Sequence, residues 1–282
     1  MTDLEAVVRT LGSQQQFLVT THVNPDGDAL GSLLAMHLVL EALGKDSRML
    51  VGGPVALPAE YRFLELPARG LLREPPVDAA VRALVAVDCA QASRVFEQDL
   101  VPAAPVVVNI DHHHDNTRYG TVNLVVDGAS STAEVLVDVI DALGVEIDPA
   151  LAEALYTGLV TDTGRFQYSN TTPEALRLAA RLVEAGADVR RVFESVYEHQ
   201  PYPKLKLLAR ALERAERHAD GRVVASYLLR RDFPEVGADE PYSEGVIDHL
   251  RAIDGVELAL LLREPPRDGV TYRKGSLRAA CE

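Results

Sequence analysis

The chain has 282 residues, 42 Asp and Glu against 28 Lys and Arg, a net charge of −14 and a 47% hydrophobic content. That is the composition of an ordinary globular protein able to bury a core, and the length favours two domains. An acidic chain argues against coating long duplex nucleic acid, which needs basic residues to neutralise phosphates. Only two cysteines, Cys89 and Cys281, are present, with no zinc-type spacing, so neither a disulfide framework nor a structural zinc site is expected. The N-terminus lacks the pattern of a signal peptide, and no apolar run approaches the ~20 residues that span a bilayer. A cytoplasmic protein without a membrane partner is expected.

Along the chain, short apolar runs alternate with helical patterns. Phe17–Thr21 reads as a buried strand and Ala29–Leu43 as an amphipathic helix ending at Gly44. Ser47–Val51, Ala83–Val87 and Val106–Ile110 read as further strands. Helices follow at Thr132–Leu143, Pro149–Leu159 and Glu174–Ala185, the last with Thr171 or Thr172 as N-cap, Pro173 in the first turn and Gly186 as the stop. Uncharged strands alternating with helices predict an α/β domain: a mostly parallel sheet with helices on both faces, over residues 1–190. A helical connector over 191–218 then leads to a smaller α+β domain over 219–282. Lys204–His218 reads as the charged helix of the connector; in the smaller domain Val223–Leu229 reads as a strand, 244–253 as a helix, and Val256–Arg263 and Val270–Leu277 as strands. The string REPP recurs at 73–76 and 263–266, too short to mark a repeat.

Residues with metal chemistry cluster where these strands end. The first strand runs into His22, Asp26 and Asp28 on an Asn-Pro-Asp-Gly-Asp loop. Imidazole and carboxylates together suit Mn²⁺ or Mg²⁺; the alternative is a capped turn. Asp88 closes the strand ALVAV at the edge where open α/β sheets bind ligands, although alone it reads better as a helix cap or a loop charge. Asp111, His112, His113 and His114 follow VVVNI. They offer one metal ligand and one phosphate contact, with the acid orienting the imidazoles. Asp162, in Thr-Asp-Thr-Gly, is a ligand or another capped turn. Together four segments supply His22, Asp26, Asp28, Asp88, His112 and Asp162. That is enough for two ions about 4 Å apart sharing a carboxylate and activating a water against phosphorus.

With those residues in place, the chain resembles the DHH phosphoesterase superfamily, in particular its nano-RNase and pAp-phosphatase branch. The strings that carry the resemblance are THVNPDGDALGS (21–32), VDCA (87–90), DHHHDN (111–116), ASSTAE (129–134) and GLVTDTGRFQYSNTT (158–172). The resemblance implies a catalytic domain over 1–190 and a substrate-binding domain over 219–282. It implies one Mn²⁺ on His22, Asp26 and Asp88 and another on Asp28, Asp88, His112 and Asp162, with Mg²⁺ as the other cation allowed. His113 would contact the scissile phosphate and protonate the leaving oxygen, with Asp111 orienting it. Ser130, Ser131 and Asn116 would stand behind the ligands or touch phosphate. The glycine-rich GGGH segment that normally closes the second domain of this branch has no counterpart before the final residue. The sequence is therefore expected to be truncated or to lack that half of the clamp. Arg278 is then a base or phosphate contact, or a solvated terminal arginine.

The activity implied is hydrolysis of very short oligoribonucleotides and 3′-phosphoadenosine 5′-phosphate (pAp), small nucleotides rather than long duplexes, with a homodimer allowed. Cyclic-dinucleotide hydrolysis is the chief alternative. Single-strand DNA exonuclease, type II pyrophosphatase and a non-catalytic nucleotide-binding protein rank below it.

Overall fold

A computed structural model describes residues 2–52, 57–95, 99–198, 200–243, 245–264 and 266, and the backbone of 274–279. It divides into two units, Met1–Leu57 with Tyr61–Ser195, and Pro58–Glu60 with Val196–Glu282. The first contains α1 (Asp3–Ser13), β1 (Gln16–Thr20), α2 (Gly27–Ala42), β2 (Asp46–Leu50), β3 (Ala83–Val87), α3 (Leu100–Ala103), β4 (Val107–Asp111), β5 (Val122–Val125), α4 (Thr132–Leu143), α5 (Pro149–Asp162), α6 (Pro173–Glu184) and α7 (Val189–Phe193).

Five strands form one parallel sheet in the order β2-β1-β3-β4-β5. All five residues of β3 and of β4 are buried, as strands covered on both faces require. One face carries the long helices α2, α4 and α5. The other is closed over Leu18, Leu50, Leu84 and Val107 by Leu72, Ala79, the short helix α3 and Tyr119. Helices thus cover both faces, long on the first and short on the second, where loops complete the cover. Because β1 sits between β2 and β3, the chain leaves β1 toward one side and β3 toward the other. This is the switch point, beyond the C-terminal ends of the two strands, where open α/β sheets bind ligands in a crevice. At the opposite end the fully buried Arg82 reaches Asp46 (2.7 Å), Asp78 (2.8 Å) and the Phe17 carbonyl (3.3 Å), tying together the starts of β1, β2 and β3.

Helix α2 departs from the amphipathic expectation, being buried nearly all round from Gly27 to Leu40. A helix apolar on every side belongs inside, and α2 touches β1, β2 and β3 of the sheet as well as helices α4 and α5. Its contact with α5 is close enough to exclude side chains. A β-carbon at Gly27 would overlap Thr161, one at Gly31 would overlap the Ala154 carbonyl, and one at Gly158 would lie 2.5 Å from an Asp28 carboxylate oxygen.

The second unit contains α8 (Tyr202–Glu213), β6 (Glu216–His218), β7 (Val223–Leu228), α9 (Asp232–Val236), α10 (Val246–Arg251), β8 (Leu258–Arg263) and β9 (Lys274–Ala279). Its mixed sheet has the order β6-β7-β8-β9, with only β7 and β8 parallel. Alternate residues of β7 and β8 face a core built with Leu207, Ala211, Phe233 and Leu250. The single helix expected over Lys204–His218 ends instead at Glu213. Its last residues form the exposed edge strand β6, whose polar side chains Glu216, Arg217 and His218 disfavour further pairing at that edge. Buried Asp232 accepts hydrogen bonds from Arg210, Arg214 and the Leu229 amide. The Arg214 contact outweighs burial and holds its carboxyl down at about 2. Among the described residues no helix is long and apolar enough to cross a membrane.

Overpacking the α2–α5 contact is expected to be costly. Gly31→Ala should lower stability by ~1–3 kcal/mol. Gly12→Ala, in α1 with nothing within 4 Å of a new β-carbon, should raise it by roughly 0.5–1 kcal/mol. Urea midpoints of the two variants check this, and equal shifts would mean the close approach is not a constraint.

Candidate metal centre

Each predicted ligand is delivered to the switch point by the end of an element. His22 follows β1, and its loop is pinned by a bridge from His22 to Val95 and a 2.8 Å bond from the Val23 amide to the Arg94 carbonyl. Asp26 is the N-cap of α2, one carboxylate oxygen taking the Ala29 amide at 3.1 Å. The turn-cap and ligand readings are therefore both realised in one residue, since its exposed carboxylate also lies among the metal-type groups. Asp28, in the first turn of α2, is 1% exposed. Asp88 follows β3 with φ +52°, a left-handed conformation that is strained for a residue with a β-carbon. His112 and His113 follow β4, and Asp162 is the last residue of α5.

These side chains converge in three overlapping groups whose ligand atoms lie within 4.8 Å of one another: His22, Asp26 and Asp88; Asp28, His112 and Asp162; and Asp88, His112 and His113. Asp88 is shared. Its Oδ2 faces His22 Nε2 at 3.6 Å, while its Oδ1 faces His112 Nε2 at 3.8 Å. His112 Nε2 also lies 3.9 Å from Asp28 and 3.5 Å from Asp162.

Tautomers decide what these distances mean. His112 Nδ1 sits 3.2 Å from the Ala129 carbonyl, so it carries the proton and leaves the Nε2 lone pair toward the carboxylates. His22 Nδ1 lies 2.9 Å from the Val23 carbonyl and 3.2 Å from the Arg94 guanidinium. The two contacts ask for opposite tautomers. The shorter one makes Nδ1 the donor, which again turns an Nε2 lone pair toward a carboxylate. Lone pairs and anions separated by 3.5–3.9 Å are too far apart for hydrogen bonds. They are spaced as ligands of a common cation at ~2.0–2.2 Å from each would be. The set fits a hard or borderline divalent ion, with carboxylates and imidazoles and no thiolate.

The electrostatics follow from the same crowding. Burial, then the neighbouring Asp88 and Asp162, push the Asp28 carboxyl well above its ordinary range, despite the Thr132 amide that donates to it. Burial likewise raises Asp162 to about 7, with Asp26 and Asp88 adding to it against the pull of His112. Asp88 goes the other way: burial is outweighed by its three histidines, and its carboxyl is lowered. The imidazole of His22 is raised, burial being outweighed by Asp88 and Asp26.

His113 differs from the other two. Its Nδ1 donates to Asp111 Oδ1 at 2.8 Å, and that bond, against burial and with help from Asp88, raises the imidazole to about 9. The ring is 35% exposed, so a charged imidazolium faces outward beside the carboxylates. Asp111 is fully buried, its other oxygen held by Asn116 at 2.5 Å.

Three expected contacts lie behind the ligands. Asn116 bonds Asp111 and Asn109, Ser130 bonds Glu134, and Ser131 caps α4 through the Glu134 amide. Both serines are fully buried. The Arg278 side chain lies outside the described residues. Sequence reading missed Thr132, Asn170 and Arg94. Thr132 donates its amide to Asp28 and its hydroxyl to Asp88. Asn170 donates to the carbonyls of Ser130 and Asp162. The strings ASSTAE and QYSNTT contain two of these residues, but polar residues before a helix look like ordinary caps.

The model of the DHH family N-terminal domain matches residues 16–159. The bifunctional oligoribonuclease and PAP phosphatase NrnA of Thermus thermophilus is 34% identical over 248 residues, 87% of this chain and 72% of that protein. The Bacillus subtilis protein of the same name is 28% identical over 196 residues, 68% of this chain and 60% of that protein. Among solved structures, an exopolyphosphatase-related protein from Bacteroides fragilis shares the fold. Its TM-score is 0.89 at 24% identity, covering 99% of this chain and 83% of that one.

A carboxyl raised on folding binds protons that the unfolded chain has released, so its contribution to stability is lost as pH rises. In EDTA, Asp162 should therefore lower thermal stability between about pH 4 and its folded value of about 7. Asp162→Asn should flatten that slope in a calorimetric series from pH 5 to 8. A wild-type midpoint that climbs over the same range and is unchanged in slope by the substitution would contradict the clustering.

Proposed function

This chain belongs to the DHH family, and from that premise we propose that the centre is a two-cation phosphoesterase site, loaded with Mn²⁺ or Mg²⁺. Its substrates are very short oligoribonucleotides and pAp, the reactions named for the Thermus and Bacillus relatives. The observation that carries this reading is the split carboxylate of Asp88, one oxygen turned to His22 and the other to His112. His22, Asp26 and Asp88 would hold one ion, and Asp28, Asp88, His112 and Asp162 the other. Such ions supply a nucleophilic water at neutral pH and neutralise charge building on phosphorus.

The remaining work belongs to side chains. His113 keeps its Nδ1 proton on Asp111, which leaves the Nε2 proton for a phosphate oxygen or for the departing sugar hydroxyl. Asp111 accepts that hydrogen bond, fixing the tautomer and the ring's direction. Asn116 fixes Asp111 in turn. We assign substrate binding to the second unit and the cytoplasm as the compartment, in keeping with the buried, unpaired thiol of Cys89.

End-labelled RNAs of two to seven nucleotides, pAp and a cyclic dinucleotide, each with Mn²⁺ and with EDTA, test the proposal. Cleavage of the shortest RNAs and of pAp should depend on the metal and vanish in Asp88→Asn. His113→Gln should keep metal binding and lose on the order of 10²–10⁴-fold in turnover, the usual contribution of a general acid. Cleavage of the cyclic substrate alone would reassign the enzyme to cyclic dinucleotides. Cleavage unaffected by EDTA would overturn the two-cation centre.

A further inference from the structure

The five residues 129–133 supply no ligand, yet they touch three of the six. The Ala129 carbonyl faces His112 Nδ1 at 3.2 Å, and the amides of Thr132 and Ala133 donate to Asp28 at 2.6 and 3.1 Å. The Thr132 hydroxyl donates to Asp88 Oδ1 at 2.9 Å. A fourth ligand is tied in at one remove, since Asn170 links the carbonyls of Ser130 and Asp162.

Thr132 is the central member. As the first residue of α4 it owns an amide with no partner inside the helix, and that amide serves Asp28 from α2. Its hydroxyl serves Asp88 from β3, so a single fully buried residue fixes two carboxylates from different elements. Among the described residues that hydroxyl is the nearest donor to Asp88, the histidine nitrogens lying at 3.6 Å or beyond. A carboxylate free to turn about its last bond could offer both oxygens to one side. The Thr132 hydroxyl holds Oδ1 toward His112, which leaves Oδ2 toward His22. The branched side chain restricts the hydroxyl's own direction as well.

We propose that Thr132 is the positioning residue that makes Asp88 a bridge, so that the two cations bind as a pair. The inference rests on the two-cation reading above. Its test therefore measures metal before activity, on the full chain: Mn²⁺ titration by calorimetry, with electron paramagnetic resonance to distinguish coupled from isolated ions. Wild type should take up two Mn²⁺ per chain with a coupled spectrum. Thr132→Val removes only the hydroxyl function at nearly constant shape. The concentration needed to fill its weaker site should rise about 10–100-fold, the usual effect of losing a group that orients a ligand. At a concentration that saturates wild type, its spectrum should be that of isolated ions. Thr132→Ser should restore pairing, and Thr132→Ala provides a second hydroxyl-free variant if valine unfolds the protein in EDTA. Coupled ions bound with wild-type affinity in Thr132→Val or Thr132→Ala would overturn the proposal, as would loss of pairing in a folded Thr132→Ser. A wild-type protein that binds fewer than two Mn²⁺ would instead overturn the two-cation reading beneath it.

Discussion

Two helices that meet without room for a β-carbon set the geometry of everything else in the first unit. Gly27, Gly31 and Gly158 let α2 and α5 approach backbone to backbone. That approach carries Asp28, at the start of one helix, up to Asp162, at the end of the other, with a single imidazole between them. Glycine is an expensive residue inside a helix, costing roughly 0.5–1 kcal/mol relative to alanine. Here the cost is offset by contact between two otherwise apolar helices, and the ligands gain a rigid mounting. Sites built on helices and strand ends hold their geometry better than sites built on loops alone.

The same closeness creates the unfavourable electrostatics of the centre. Asp28, Asp88 and Asp162 face one another at a largely buried edge, with histidines set among them. Burying unpaired carboxylates is costly, and they respond by holding protons or recruiting a cation. The molecule has done part of the neutralisation with neutral donors. The amides of α4 and the hydroxyls of Ser32 and Thr132 point at Asp28 and Asp88. These donors orient the carboxylates without removing their charge, which leaves the field needed by a divalent ion intact.

Much of this could be read from residue order because the signals were local. The strand at Ala83–Val87 is uncharged and closed by an acid, and Thr132–Leu143 is bounded by a serine cap and a glycine in the left-handed conformation. The ligands were legible for a similar reason: each is a polar residue placed abruptly at the end of an apolar run. What escaped was in part local and in part set by tertiary contact. Helix α1 carries a capping box in Thr2 and Glu5, a signal present in the sequence but easily passed over at a terminus. Strand β5 is four residues long and exists only by pairing with β4. The roles of Thr132 and Asn170 depend on partners 44 and 40 residues away, which no local pattern encodes.

The donors spent on Asp28 have one more effect. A helix N-terminus commonly greets an anionic ligand, but the first amides of α4 are already committed to an aspartate of the chain itself. Apart from His113, the side chains of the centre by themselves therefore offer a phosphate mainly negative neighbours. In an enzyme working as proposed, attraction for the nucleotide is borrowed from the ions and does not exist before they arrive. Loading is then sequential, cation first and substrate second, and the cation supply governs how much of the protein can recognise its substrate at all.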